Sequence, residues 1–230
     1  MGRRQKRNVS VLTADIVHST RYSSVDRRKV DRVLSKSFDE ILEKFPNAIH
    51  TPFAFRITAG DEFQCVFHDV SRTFDILTYL RASVAVSKVR PIIFFRASIG
   101  VGEITVGGKR SPYEEDGRAF VLSRTGLQDL SKRRQNFTKI VTGHPELDRI
   151  ADVILLFLDR LQKGWTLPQW EAIKWSLLGM TREQIAKRIH VAHQNVTKRL
   201  VAAGWQQFKE GSELLSEILA KAEITQNGCN

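Results

Sequence analysis

"FAFRITAGDEFQCVF", residues 53–67, sets Gly-Asp-Glu between two runs of β-formers. Phe53, Phe55 and Ile57 precede the interruption, and Phe63, Cys65 and Phe67 follow it. Alternation on both sides of a Gly-Asp pair is the pattern of a β-hairpin, here with its tight turn at residues 59–62. Gly-Asp is ordinary turn chemistry. It also places Asp61 and Glu62 on a rigid support, where they can act as metal ligands if a carboxylate from elsewhere reaches them.

Working outward, residues 8–17, "NVSVLTADIV", alternate Val9, Val11 and Ile16 as a strand does. Residues 24–45 repeat Val30, Val33, Leu34, Phe38, Ile41, Leu42 and Phe45, the stripe of an amphipathic helix. A second helix is expected from about residue 71, on Phe74, Leu77, Leu80 and Val84. "IIFFRASIGVGEITVG", residues 92–107, is expected as a strand pair with glycines at its bends. A third helix over 118–130 and a strand at "FTKIVTG", 137–143, complete a β-α-β-β-α-β order. The fold class is α+β: a ferredoxin-like, split βαβ sheet with helices on one face. From about Pro145 the pattern turns all-helical. "IADVILLFLDRL", 150–161, is expected as a buried helix, followed by three shorter helices broken at Gly179 and around His190. The expected organisation is a basic arm (1–7), a sheet domain (8–144), a connector helix (145–164) and a helical domain (165–230).

The chain has 230 residues, 42% of them hydrophobic, enough for a sizeable core, and a formal net charge of +11. Such a charge favours a polyanionic partner, nucleic acid first. Arg3, Arg4, Lys6 and Arg7 crowd the N-terminus as a solvated tail or a phosphate-contacting arm. Two cysteines, Cys65 and Cys229, make neither a disulfide framework nor a zinc site and fit a reducing cytoplasm. No apolar run approaches the ~18 residues of a membrane span, so no membrane partner is expected. The histidines show no ligand spacing, and Trp170 and Trp175 sit at core positions of a helix rather than as base-stacking platforms.

The carboxylate that could reach the hairpin turn is Asp15, at the end of the first strand. In a split βαβ sheet that strand lies beside the hairpin, so Asp15 and Asp61 converge at one end. Two carboxylates without a partner repel at low effective dielectric, and an all-oxygen site of this kind suits Mg²⁺ or Mn²⁺. The following "IVHSTR", 16–21, offers the backbone N–H groups of Val17 and His18, the hydroxyls of Ser19 and Thr20, and Arg21 at an expected helix entrance, a seat for a nucleotide's phosphates beside Gly60.

These residues resemble a known family. "ADIVHST" and "AGDEF" are similar to the two metal motifs of nucleotidyl cyclase palm domains, shared by class III cyclases and GGDEF diguanylate cyclases, and "RASIGVGEI" is similar to the strand that follows. Together with "GRAF", residues 117–120, and a C-terminal helix-turn-helix, the set resembles the SatD family over nearly the whole chain. The resemblance implies Asp15 and Asp61 as metal ligands, with Ile16 lending a backbone carbonyl and Glu62 as the motif's second acid. It also implies a nucleotide or nucleotide second messenger as ligand. Three positions depart from the cyclase pattern. Val121 stands where class III cyclases carry an Asn, Arg124 sits one residue early, and Ile57, next to Arg56, replaces the base-reading Lys. Losing groups that stabilise developing charge removes several kcal/mol of catalysis, whereas binding survives. No catalytic residue is assigned.

"LPQWEAIKWSLLGMTREQIAKRIHVAHQNVTKRLVAAGW", 167–205, resembles the helix-turn-helix of sigma-factor region four. Thr181 is placed to cap one helix, Ile185, Ala186 and Ile189 to line its inner face, and Val196 and Leu200 to anchor the next. That leaves Thr181, His193, Gln194, Asn195, Thr197, Lys198 and Arg199 on or near the outer side, with Gln and Asn suited to adenine edges and Lys and Arg to guanine or phosphate. The expected protein is a homodimeric, double-stranded-DNA-binding transcription regulator with a degenerate cyclase-like sensor. The alternatives are an active Mg²⁺-dependent nucleotide cyclase or hydrolase with a helical interaction module, and a DNA-binding scaffold with no small ligand.

Overall fold

The computed structural model describes residues 5–50, 55–59, 61–87, 89, 93–106, 117–132 and 136–227. Among these, the strands are β1 (Gln5–Ile16), β2 (Arg56–Ala59), β3 (Glu62–Phe67), β4 (Phe95–Val106) and β5 (Thr138–Val141). They form one sheet in the order β2-β3-β1-β4-β5. β1 is antiparallel to both neighbours, β2 is antiparallel to β3, and β5 lies parallel to β4. The first four strands thus have the order of the expected split βαβ sheet. β1 already begins at Gln5, so part of the expected arm is strand, while Arg3, Arg4 and Gly60 lie outside the described residues.

Side chains alternate across the sheet. Leu12, Ala14, Ile16, Phe63 and Ile99 face the main apolar cluster, which holds α1 (Ser24–Lys44) and α2 (Thr73–Val86). α1 starts where Ser23 accepts a hydrogen bond from Asp26 N at 3.1 Å, and it buries Val30, Leu34, Phe38 and Ile41. The other face carries Val9, Val11, Val66 and Ile104 against Ala119 and Phe120 of α3 (Arg118–Lys132).

Two expectations are corrected here. Helices occupy both faces, because β4 and β5 are parallel neighbours and their connection must cross the sheet. The glycines of "RASIGVGEI" also mark no bend, since β4 is one continuous strand of 12 residues. A Cβ at Gly100 would meet Ala119 O at 2.3 Å and Ser123 N at 2.4 Å, and one at Gly102 would meet Ala119 N at 2.9 Å. The glycines are there so that α3 can lie on the strand.

α4 (Pro145–Gly164) is not buried all round, as "IADVILLFLDRL" suggested. It buries Ala151, Leu155, Leu158, Asp159 and Gln162, yet Ile150, Val153 and Phe157 are 49%, 54% and 65% exposed. After it come the three expected short helices, α5 (Leu167–Ser176), α6 (Arg182–Arg188) and α7 (His193–Ala202). A fourth, α8 (Trp205–Asn227), follows Gly204, whose φ of 63° ends α7. α8 returns to the sheet: Phe208 stacks on Phe74 at 6.0 Å, Ser212 Oγ donates to Asp75, and Asn8 Nδ2 donates to Glu223 O at 3.0 Å. Lys174 of α5 reaches Glu40 of α1 at 2.8 Å. The sheet and the later helices share one apolar cluster. The tryptophans belong to it: Trp165 Nε1 donates to Ala203 O at 2.7 Å, and its ring lies 4.6 Å from Trp170 and 4.8 Å from Phe208. Among the described residues no helix is long and apolar enough to cross a membrane.

Candidate functional site

Register builds the site. Asp15 stands opposite Glu62 on β3 and opposite Arg96 on β4, so the three side chains share one face as a cross-strand row. Ile16 N donates to Asp61 O at 3.1 Å, which fastens the hairpin turn to the end of β1. Beneath the row, Gln64 Nε2 donates to Thr13 Oγ1 at 2.8 Å, and Thr13 Oγ1 lies 2.8 Å from Ser123 Oγ on α3. A buried polar layer thus fixes the strands below the carboxylates.

The expected carboxylates without a partner are not what the chain builds. Arg96 Nε donates to Asp15 Oδ1 at 3.0 Å and Arg96 Nη2 to Asp15 Oδ2, a bidentate pair. Ser19 Oγ donates to Asp61 Oδ2. The positive charge that Asp15 calls for is already supplied, by a residue that sequence reasoning left as part of a strand. Arg96 opens "RASIGVGEI", and the antiparallel register of β1 and β4 sets it against Asp15.

Both Asp15 oxygens accept from Arg96, and among the described residues no group of three His, Cys, Asp or Glu side chains could hold a metal ion. In the arrangement described, the charge that faces Asp15 is that of Arg96.

The expected phosphate seat is also rearranged. Val17 N donates to Phe94 O at 2.8 Å, and His18 takes the left-handed conformation at φ 62°. Ser19–Arg21 is a single 3-10 turn, closed by Arg21 N on His18 O at 3.0 Å, and α1 begins only at Ser24. Thr20 and Arg21 are exposed. What Val17 and His18 do border is a cavity of about 480 Å³ that also takes in Arg96, Asn136 and Lys163. The cationic side chains in its lining are Arg96, already paired with Asp15, and Lys163.

Burial, then the neighbouring Asp15 and Asp61, push the Glu62 carboxyl above its ordinary value near 4.5, against the pull of Arg124 on α3. A folded-state pKa that is raised means protonation favours the fold. The stability it contributes is complete below the ordinary glutamate value and is lost as pH rises through the raised one. Glu62→Gln, which fixes the uncharged form, is therefore expected to raise Tm at about pH 7.5 and leave it unchanged at about pH 4. A Gln variant that lowers Tm at both pH values would show Glu62 to be held chiefly by attraction.

In the helical part, Thr181 caps α6 as expected: Gln184 N donates to Thr181 Oγ1 at 3.3 Å and Thr181 N donates to Gln184 Oε1 at 2.8 Å. Ile185, Ala186, Val196 and Leu200 are buried, and residues 189–192 connect the two helices. His193, Gln194, Asn195 and Lys198 stand exposed on α7, with His193 Nε2 3.2 Å from Glu183 of α6. Two other expected outer residues are less exposed. Thr197 is half-buried with its hydroxyl on His193 O at 3.4 Å, and Arg199 Nη1 donates to Glu171 Oε2 at 3.1 Å.

The family model for the SatD family matches residues 9–213. Among curated proteins nothing matches the sequence. Solved structures similar to the chain include a bacterial light-regulated adenylyl cyclase, at 12% identity and a TM-score of 0.44 over 62% of this chain and 45% of that one. Another is a dimeric guanylyl cyclase domain from the aquatic fungus Blastocladiella emersonii, at 15% and 0.41 over 54% and 75%. A class III adenylyl cyclase-like ATP-binding protein from Pseudomonas aeruginosa is similar at 11% and 0.37 over 97% and 45%. This chain spans less than half the length of the first of them. Likenesses this distant carry no weight for activity.

Proposed function

The chain belongs to the SatD family, and we propose that it is a DNA-binding regulator whose sheet carries a pocket for a phosphorylated ligand. The observation that carries this reading is the α6–α7 pair, with buried inner faces, a four-residue connection at 189–192, and a polar outer face on α7. These features support reading the pair as a helix-turn-helix, with α7 as the helix that would enter the major groove. Exposed Arg182, Lys187 and Lys198 and the net charge of +11 supply attraction to the backbone. Residues 8–144 would sense, 145–164 connect and 165–230 bind DNA. Gln194 and Asn195 are the base readers and Lys198 the phosphate contact, while Arg199 chiefly braces α7 against α5.

Fluorescence anisotropy with double-stranded DNA of scrambled sequence tests this. Lys198→Ala should weaken binding and reduce the slope of log affinity against log salt by ~1 between ~50 and ~200 mM. An unchanged slope would remove Lys198 from the phosphates.

The cavity beside Asp15–Arg96 favours a nucleotide or nucleotide second messenger as the sensed ligand, since phosphate can compete for Arg96. Mg²⁺ or Mn²⁺ belongs to this reading only in company with such a ligand. Product formation from ATP or GTP by the pure protein would instead make it an enzyme. The exposed stripe Ile150, Val153 and Phe157 on α4 supports a homodimer. Phe157→Glu is expected to shift the light-scattering mass from twice the monomer to the monomer. A wild-type protein that is monomeric at micromolar concentration, with and without DNA, would end the dimer proposal.

A further inference from the structure

Between α2, the start of β4 and the α4–α5 junction lies a second cavity, of about 650 Å³, within the range of pockets that enclose small molecules. Its walls are mostly aromatic, with Phe95, Phe137, Trp165 and Trp170. Two polar side chains stand in that wall, Arg81 and Gln162, and both are almost wholly buried. Arg81 Nη1 donates to Thr138 Oγ1 at 2.8 Å and to Gln162 Oε1 at 3.3 Å, and Arg81 Nη2 donates to Phe137 O at 3.2 Å. Its guanidinium lies 4.4 Å from the centre of the Phe137 ring. Arg81 Nε and Gln162 Nε2, however, are buried donors with no acceptor among the described residues. Buried donors without a partner are rare in native proteins and costly enough to need a reason. Lys163 adds a second cation to the lining.

We propose that this cavity binds a small aromatic acid: a flat apolar body between the aromatic walls, with its carboxylate turned toward Arg81, Gln162 and Lys163. Burial alone does not make such a site, since an apolar void would serve any greasy molecule. The charge of Arg81 is met by Asp159, so the two donors and the Lys163 cation select an anionic acceptor, and the flat rings select a planar body over a flexible chain. The inference does not rest on the DNA or nucleotide reading. The cavity shares Phe94, Phe137 and Lys163 with the one beside Asp15, whereas Arg81, Gln162 and the tryptophans line only this one of the two, and it is separate from the outer face of α7.

Isothermal titration of the full chain with naphthalene-1-acetate, its neutral amide naphthalene-1-acetamide, and decanoate tests it. The acetate is expected to bind at least tenfold more tightly than either of the others. Ala85→Trp, which fills the cavity, should abolish that binding while the thermal transition stays cooperative. Lys163→Gln, at an exposed position, should weaken the acetate several-fold and leave the amide unchanged, so the proposal stays testable even if Ala85→Trp does not fold. Equal binding of acetate and amide would overturn the proposal. So would tighter binding of decanoate, unchanged binding by a folded Ala85→Trp variant, or no heat of binding from the acetate at millimolar concentration.

Discussion

Asp159→Ala is expected to destabilise the protein by roughly 3–5 kcal/mol, a fall in Tm of ~6–20 °C for a chain of this size. Asp159, 1% exposed on α4, accepts from Phe137 N at 2.8 Å and Thr138 N at 2.9 Å through Oδ2, and from the Thr138 hydroxyl at 2.7 Å through Oδ1. That hydroxyl in turn accepts from the buried Arg81. Burial pulls the Arg81 pKa down to about 10, against the attraction of Asp159, and it remains a cation at neutral pH. Removing Asp159 leaves that cation without its counter-charge and the start of β5 without two acceptors. Thermal melts at neutral pH measure the loss. A change under about 1 kcal/mol would mean that water replaces the carboxylate, contrary to the burial described.

Gly100→Val is expected to be equally severe, at roughly 3 kcal/mol or more, or to prevent soluble expression. The contacts a side chain would make there are to backbone atoms of α3, which has no rotamer to change. The graded form is sharper: Gly100→Ala should cost more than Gly102→Ala, because the nearest approaches are 2.3 Å and 2.9 Å. Urea melts of the two alanine variants give the order directly. The reverse order would mean that α3 does not lie on β4 as described.

Periodicity made the elements legible, and register made the site. The stripe Val30, Leu34, Phe38 and Ile41 and the alternation around Asp61 carry their own geometry, so α1 and the hairpin were readable from sequence. Gly100 and Gly102 were misread because a glycine in a strand has two causes, a bend or a close neighbour, and only the neighbour's position separates them. Asp15 and Asp61 were brought together by topology. Arg96 was missed because a cross-strand partner depends on a register that sequence alone does not state. The exposed stripe on α4 was hidden by an apolar run so dense that it read as buried on every side. The pairing of Arg199 with Glu171 joins α7 to α5, a contact that the periodicity of either helix does not state.

α7 is expected to read DNA. Sequencing the duplexes that the protein retains from a randomised pool tests it most directly, with Asn195→Ala run in parallel. The wild type is expected to enrich a two-fold symmetric sequence, with half-sites about one helical turn apart, and Asn195→Ala to lose preference at one position in each half-site. A retained pool as random as the input, or the same enriched sequence from both proteins, would contradict it.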